Sequence, residues 1–202
     1  MPLRIHDTRR RQKVEFTTLE PGRVNMYVCG ITPYGPSHLG HARCYVAFDL
    51  VHRWLEAKGY EVLYVQNFTD IDDKILVVAE EEGVEFSVVS ERYIEAYFSN
   101  MDALNVLRAD HYPRVSGTIP GIISMIETLI EKEHAYVGED GIYFDVESAP
   151  EKYGMLTGQN IRSIMPELAG LLDQSAQSAY AEVGDQIDVT RQGRTRTLNV
   201  RI

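Results

Sequence analysis

A thiol, two histidines and several small residues fall within one short stretch, Met26 to Arg43, which reads MYVCGITPYGPSHLGHAR. The apolar run Met26-Tyr27-Val28 leads into Cys29-Gly30, a turn containing Pro and Gly follows, and His38-Leu39-Gly40-His41 stands at the mouth of a periodic segment. That order is a strand, a turn and a helix start. In an open α/β sheet the crevice beyond the carboxyl end of a strand is where ligands bind, and a helix N-terminus there offers free N–H groups and a positive dipole end to a phosphate. His38 and His41 can hydrogen-bond phosphate oxygens, and Gly40 between them removes a side chain where a base or ribose would approach the backbone. The chemistry this suggests is nucleotide binding.

A βαβ unit must position these residues. From Ala42 the helical spacing puts Ala47, Leu50, Val51, Trp54 and Leu55 on one face, read here as core, and Gly59 closes the helix. Glu61 to Asn67, carrying Val62, Leu63 and Val65, follows as a second buried parallel strand, with a right-handed crossover between the two. Thr69 and Asp70 then lie at its carboxyl end, beside Cys29 and Gly30 at the end of the first strand. Both strand ends open on one crevice. By residue type alone, Asp70-Ile71-Asp72-Asp73 reads as a helix cap. Cys29 alone reads as a small buried residue, because one cysteine is not a metal site.

The flanking segments supply scaffold. Leu3 to His6 is expected as a short strand, Arg9-Arg10-Arg11 as a turn and Val14 to Leu19 as a second strand, with Pro21-Gly22 turning into Met26. Lys74 to Glu82 is expected as a helix stopping at Gly83, and Ser87 to Leu104 as a helix with Ile94, Tyr97, Phe98 and Met101 in the core. Thr118 is expected to cap a third helix with Ile119, Ile122, Ile123, Ile126, Leu129 and Ile130 inward, ending near His134 as a partner of its C-terminal dipole. Ala135 to Val137 and Ile142 to Asp145 then form a hairpin around Gly138 to Gly141.

Composition bounds the class. With 202 residues, 44% hydrophobic and 25% charged, the chain can bury a core as one domain, or as one and part of another. No apolar run approaches a membrane span and the N-terminus is charged, so no membrane association and a cytoplasmic location are expected. Cys29 and Cys44 fit a reduced compartment, Cys44 as packing. Twenty Lys and Arg against 30 Asp and Glu give a net charge of -10, which argues against a sequence-independent nucleic-acid binder.

Cys29-Gly30-Ile31-Thr32 followed by His38-Leu39-Gly40-His41 resembles the zinc cysteine and HIGH signature of cysteinyl-tRNA synthetase, a class I aminoacyl-tRNA synthetase. The segment Asn67-Phe68-Thr69-Asp70-Ile71-Asp72-Asp73-Lys74-Ile75 continues the likeness, as do His134-Ala135-Tyr136, Tyr143-Phe144-Asp145-Val146 and the run from Tyr153 to Asn160. A single four-letter match is weak evidence; several motifs in one order over about residues 1 to 160 are strong. The resemblance implies an α/β fold, the first half of the Rossmann-like, HUP-type parallel sheet of class I synthetases with part of an inserted connective-peptide region. It divides the chain into 1–112, the N-terminal half of the nucleotide-binding fold, 113–160, the start of the insertion, and 161–202, a divergent tail. It implies ATP, taken with Mg, L-cysteine and tRNA(Cys) as partners, with a local tRNA-facing patch on an otherwise acidic protein. His38 and His41 would be catalytic, stabilising the ATP phosphates together with Gly40. Gly30, Thr32, Thr69 and Asp70 would line the amino-acid pocket, while Asp72 and Asp73 stay mainly structural. Cys29 would be a zinc ligand, since a soft metal that binds thiolate can separate cysteine from serine where shape cannot.

The family draws its other zinc ligands from a cysteine, a histidine and a glutamate further on, yet this sequence has no Cys after Cys44 and no His after His134. Its last lysine is Lys152, so the lysine-bearing KMSKS loop of class I enzymes is missing too. The expectation is therefore a truncated chain that binds adenine nucleotide weakly at most and does not aminoacylate by itself. Two alternatives stand beside it: a cysteine ligase of the mycothiol type, whose G-I-T-P-Y and H-L-G-H-A wording is close to Ile31 to Ala42, and a catalytically dead cysteine- or nucleotide-binding paralogue.

Overall fold

The structure, a computed structural model, describes residues 2–138, 141–150, 152 and 154–158. The divergent tail and three residues of the Tyr153 to Asn160 motif, Tyr153, Gln159 and Asn160, lie outside the described residues. The chain forms two compact units, one of residues 17–120 and one of residues 1–16 with 121–202.

The unit 17–120 carries the βαβ core. Strand β3 (Arg23–Ile31) pairs in parallel with β4 (Glu61–Phe68), in a register that sets Val24 against Val62 and Tyr27 against Val65. Helix α1 (Leu39–Ala57) makes the crossover, and α2 (Asp73–Glu82) and α3 (Phe86–Ala103) follow β4. Residues 110–115 then run parallel along the far edge of β4: Gln66 N donates to His111 O and Phe68 N to Pro113 O, at 3.0 and 2.9 Å. Val28, Ile31, Tyr45, Tyr64, Phe68, Ile94, Tyr97 and Met101 make the core, with Phe98 and Tyr112 packed against it. A smaller cluster of Ile75, Ala79 and Val89 joins α2 to α3. As expected, Gly83 ends α2 in the left-handed conformation and Gly59, also at positive φ, follows α1.

The face of α1 differs from the periodicity reading. Of the expected core residues only Leu55 is buried; Leu50 is 67% exposed, Trp54 50% and Val51 44%, and Ala47 is exposed as well. The helix instead turns Tyr45, Asp49 and His52 inward. The reason is a polar latch: Asp49 accepts from Arg53 Nε at 2.8 Å and from Leu107 N at 2.9 Å, and Arg53 Nη2 donates to Asn105 O at 2.7 Å. Buried backbone groups need such partners, and no apolar side chain could supply them.

The other unit holds a hairpin of β1 (Arg4–Asp7) and β2 (Gln12–Glu15), helix α4 (Ile119–Glu131) from Gly121 onward, and a second hairpin of β5 (Ala135–Val137) and β6 (Ile142–Phe144). The second strand comes earlier than Val14 to Leu19, because pairing of Arg4 with Glu15 fixes the hairpin register and Leu19 is fully exposed. No residue of α4 is buried: Ile119, Ile122, Ile126, Leu129 and Ile130 are half-buried and Ile123 is 50% exposed. Thr118 does not cap it by accepting; its hydroxyl donates to the carbonyls of Arg114 and Val115. His134 does accompany the end of α4, its N–H reaching Leu129 O, but its ring is tied to Ser148 Oγ at 2.8 Å.

Inside the core, Gln66 Nε2 donates to the Tyr97 hydroxyl at 2.6 Å, with both residues buried. Burial pushes the hydroxyls of Tyr45, Tyr64 and Tyr97 up, Tyr64 to about 12, so all three stay neutral. Tyr97→Phe leaves Gln66 Nε2 without its acceptor and is expected to cost about 1–3 kcal/mol, read as a lower urea midpoint at unchanged slope.

Candidate functional site

The site begins where the two parallel strands end. Pairing of β3 with β4 slips between Val28 and Ile31. Across the slip the carboxamide of Asn67 stands in for a backbone partner: its Oδ1 accepts from Gly30 N at 2.8 Å and from the Tyr27 hydroxyl at 2.9 Å. The strands approach so closely here that a Cβ on Gly30 would lie 1.5 Å from the carbonyl oxygen of Asn67. Gly30 is therefore demanded by strand closure, whatever else it lines. Cys29 is turned outward, its thiol exposed and its carbonyl held by the Tyr45 hydroxyl at 3.3 Å. Thr32 is half-buried and its carbonyl accepts from Tyr34 N, starting the turn towards α1.

At the start of α1 the two histidines act as a reciprocal cap. His38 Nδ1 accepts from Gly40 N at 3.1 Å, and His41 Nδ1 accepts from His38 N at 3.2 Å. This is the arrangement of a capping box, with imidazoles in place of the usual hydroxyl and carboxylate. The rings stack with centroids 3.9 Å apart and planes 21° apart. A nitrogen that accepts cannot also carry a proton, so in the neutral rings the hydrogen sits on Nε2. Each histidine is thus left with one N–H donor free of the cap, beside the positive end of a helix dipole. Gly40 serves the same cap: a Cβ there would lie 2.8 Å from His38 Cε1, so the space it leaves is first of all room for the His38 ring.

Thr69 and Asp70 stand at the end of β4, adjoining the end of β3 as expected, and Thr69 N donates to Ile31 O across that junction. Thr69 Oγ1 also accepts from Asn67 Nδ2 at 3.4 Å. Asp70, 4% exposed, accepts from Ser116 N at 3.0 Å and from Ser116 Oγ at 2.5 Å. Its carboxylate fastens Ser116, just past the 110–115 segment, and does not cap α2; that cap is Asp72, which accepts from Lys74 N, with Asp73 in the first turn. Two further residues lie at this mouth without having stood out in the sequence. Asn67 joins the strand ends, and Lys74 brings a cation to within 5.2 Å of the Tyr34 ring in the β3–α1 turn. Both were visible in the motif from Asn67 to Ile75, but nothing in the spacing says what an amide or a lysine will touch.

For zinc the fit is incomplete. Among the described residues no three His, Cys, Asp or Glu side chains stand close enough to hold a metal ion, and both His38 and His41 spend Nδ1 on the cap. Cys29 is one donor without a set.

Comparison with known proteins places this geometry. The family described as tRNA synthetases class I (C) catalytic domain matches residues 15–180. A cysteine–tRNA ligase from a Cyanothece species is 45% identical over 175 residues, 87% of this chain and 35% of that protein. One from Moorella thermoacetica is 54% identical over 153 residues, 76% of this chain and 32% of the relative. The chain thus spans about a third of the length of the curated relatives it matches. Among solved structures, the Agrobacterium radiobacter LeuRS in its ternary complex with tRNA and LeuAMS superposes with a TM-score of 0.50 over 58% of this chain and 16% of that one, at 21% identity. That likeness is one of fold.

Two outcomes follow from the geometry. Gly30→Ala forces backbone apart and is expected to cost about 3 kcal/mol or more in urea unfolding, while Gly35→Ala, which meets nothing within 4 Å, serves as a near-neutral control. Burial, and after it the neighbouring His38, hold the His41 pKa below its ordinary 6.5. A depressed folded-state pKa means stability that is complete above about pH 6.5 and is lost as pH falls through the folded value, where a proton on Nδ1 breaks the cap. The thermal midpoint should be flat above pH 6.5 and drop below it, with His41→Gln flattening that limb.

Proposed function

Because this chain belongs to the family of class I tRNA synthetase catalytic domains, in its cysteine branch, we infer that its described residues form part of the crevice in which cysteine is activated with ATP before transfer to tRNA(Cys). The observation that carries the reading is the stacked His38–His41 pair, whose Nδ1 atoms are consumed by the cap and whose Nε2–H groups remain as donors at a helix N-terminus.

In this reaction a carboxylate oxygen of cysteine attacks the α-phosphorus of ATP and pyrophosphate leaves, giving cysteinyl-adenylate. A 3′-terminal hydroxyl of tRNA(Cys) then attacks the acyl carbon and AMP leaves. His38 and His41 donate hydrogen bonds to the phosphate oxygens on which charge grows, and being neutral they act as fixed dipoles rather than as cations. The cap makes them rigid, so little reorganisation is needed when the nucleotide arrives. Gly40 leaves the first turn of α1 slim enough for both rings, and for a base or ribose beside them. Gly30, Thr32 and Thr69 border the amino-acid side of the crevice; Asp70 borders it too, and holds Ser116 in place. Lys74 adds a positive charge near the turn. A magnesium ion would travel with the ATP phosphates. Cys29 is one zinc donor by resemblance, and the described residues do not complete that site, so no step is assigned to the metal here.

The experiment separates cap from chemistry. His38→Asn retains a side-chain acceptor at the N-cap and His41→Gln retains one at the third helical position, yet both lose the imidazole donors. Binding of ATP and of a non-hydrolysable cysteinyl-adenylate analogue is expected to be measurable for the chain and at least about tenfold weaker in the double variant, at unchanged helix content. Equal binding in both proteins would remove the histidines from the nucleotide site. The chain alone is expected to give no aminoacylation of tRNA(Cys).

A further inference from the structure

An acidic chain carries one concentrated basic element. Residues 4–13 hold Arg4, Arg9, Arg10, Arg11 and Lys13, with His6, against the single acid Asp7, in a chain whose net charge is -10. These residues make up the hairpin of β1 and β2 and the turn between them, and all six basic side chains are exposed. The register sets His6 opposite Lys13 and Arg4 opposite Glu15, and alternation puts all four on one face of the ribbon. Arg4 Nη2 donates to Lys13 O at 2.7 Å, which lays its guanidinium across the strand pair beside the lysine. Glu15 is the one acid on that face.

The turn is held in place by its own arginines. Arg11 has a φ of 52°, a left-handed conformation that glycine would adopt without strain, so the position keeps a guanidinium where the backbone disfavours any side chain. That guanidinium donates to Thr157 O at 2.6 Å and fills the space beside Gly158, where a Cβ would lie 2.1 Å from Arg11 Nη2. Arg9 Nη2 reaches Met155 Sδ at 3.2 Å. A carbonyl and a thioether orient these two guanidinium groups without cancelling their charge. Among the described residues the one ion pair that the hairpin's Lys and Arg make is Arg10 with Asp7.

Fixed cations spread along a narrow ribbon suit a chain of regularly spaced phosphates, which is met through backbone contacts that position a partner without reading its bases. The tip, Thr8 to Gln12, has no apolar side chain to enter a lipid layer. On an acidic protein such contacts can form only at the hairpin, so the local field would also orient the partner. We propose that the β1–β2 hairpin is a docking surface for the phosphate backbone of tRNA(Cys), with Arg4 and Lys13 reaching phosphates from one face and Arg9 and Arg11 adding charge from the clamped turn. The proposal rests on the reading of this chain as part of a tRNA-charging enzyme, and it uses no residue of the nucleotide crevice.

The test titrates the full chain against fluorescently labelled tRNA(Cys) over a series of salt concentrations, with ATP binding measured in parallel. Arg4→Gln with Lys13→Gln is expected to weaken tRNA binding at least about tenfold at about 50 mM salt and to flatten the plot of log K against log salt by about 1 to 2. ATP binding should be unchanged and the melting point should stay within about 2 °C of the parent. Lys58→Gln with Lys132→Gln removes the same charge from other exposed positions and should change tRNA affinity by no more than about twofold. Glu15→Gln removes the acid from the basic face and should tighten binding about two- to threefold, a gain that a damaged hairpin could not give. The proposal is overturned by a parent chain that does not bind tRNA at the lowest salt, by a hairpin variant that binds as the parent does, by equal losses in the Lys58 and Lys132 control, or by a Glu15 variant with unchanged affinity. Anionic vesicles that bind the chain through Arg4 and Lys13 while tRNA does not would hand the hairpin to a membrane surface. Loss of ATP binding leaves each of these readouts intact, and loss of tRNA binding leaves ATP binding intact, so the two readings fail separately.

Discussion

The constraint on which the rest depends is the approach of β3 to β4 at Gly30, where backbone lies against backbone with no room for a methyl group. Parallel strands make evenly spaced, slanted bonds, and a slip in that ladder normally strands polar groups. Here Asn67 absorbs the slip with one carboxamide, accepting from Gly30 N and the Tyr27 hydroxyl. The gain is geometric. The turn that leaves β3 starts from a fixed point, and Tyr45 of α1 reaches back to hold the Cys29 carbonyl. Loosening the closure would move Cys29, Thr32 and the histidines together.

The helix start shows how one pair of side chains can do two jobs with different atoms. One nitrogen of each imidazole completes a backbone need, and the other is left pointing outward. A serine–glutamate box would cap as well but would present a carboxylate where, in the proposed function, a phosphate sits. Imidazole caps avoid that conflict, because a neutral ring offers a donor on the side away from the cap. Burial of the His41 ring, and after it the His38 ring stacked on it, explain why the His41 pKa is lowered.

Much of this was legible in the sequence. The order strand, turn, helix, strand around Cys29 and His38, the stop at Gly83, the core positions Ile94, Tyr97 and Met101, and the β5–β6 hairpin all follow from periodicity and turn residues. What failed did so for stated physical causes. The apolar stripe of α1 through Leu50 and Trp54 predicts a contact, and periodicity cannot say whether the covering surface is present in the same chain. The polar face that is actually buried depends on Leu107 N and Asn105 O, more than fifty residues away, which no local pattern reports. Asp70 looked like a cap because acids at helix starts usually are, and it is bound instead to Ser116.

The segment at 110–115 has a bearing on how this unit is made. β4 is the inner strand only because residues after α3 return to its far edge, with Asp110 Oδ2 accepting from Tyr64 N and Ser116 held by Asp70 across 46 positions of sequence. Helices α2 and α3 can pair early, through contacts close in sequence. The sheet cannot close in the same way, because each neighbour of β4 lies a helix or more distant along the chain, and such pairings bear the full entropy of a long loop before any bond rewards it. During synthesis β4 therefore stands with an unpaired edge until residue 115 or so has left the ribosome. The order of assembly is set by that returning segment, and a pause or a chaperone acting before it emerges would act on a half-built sheet.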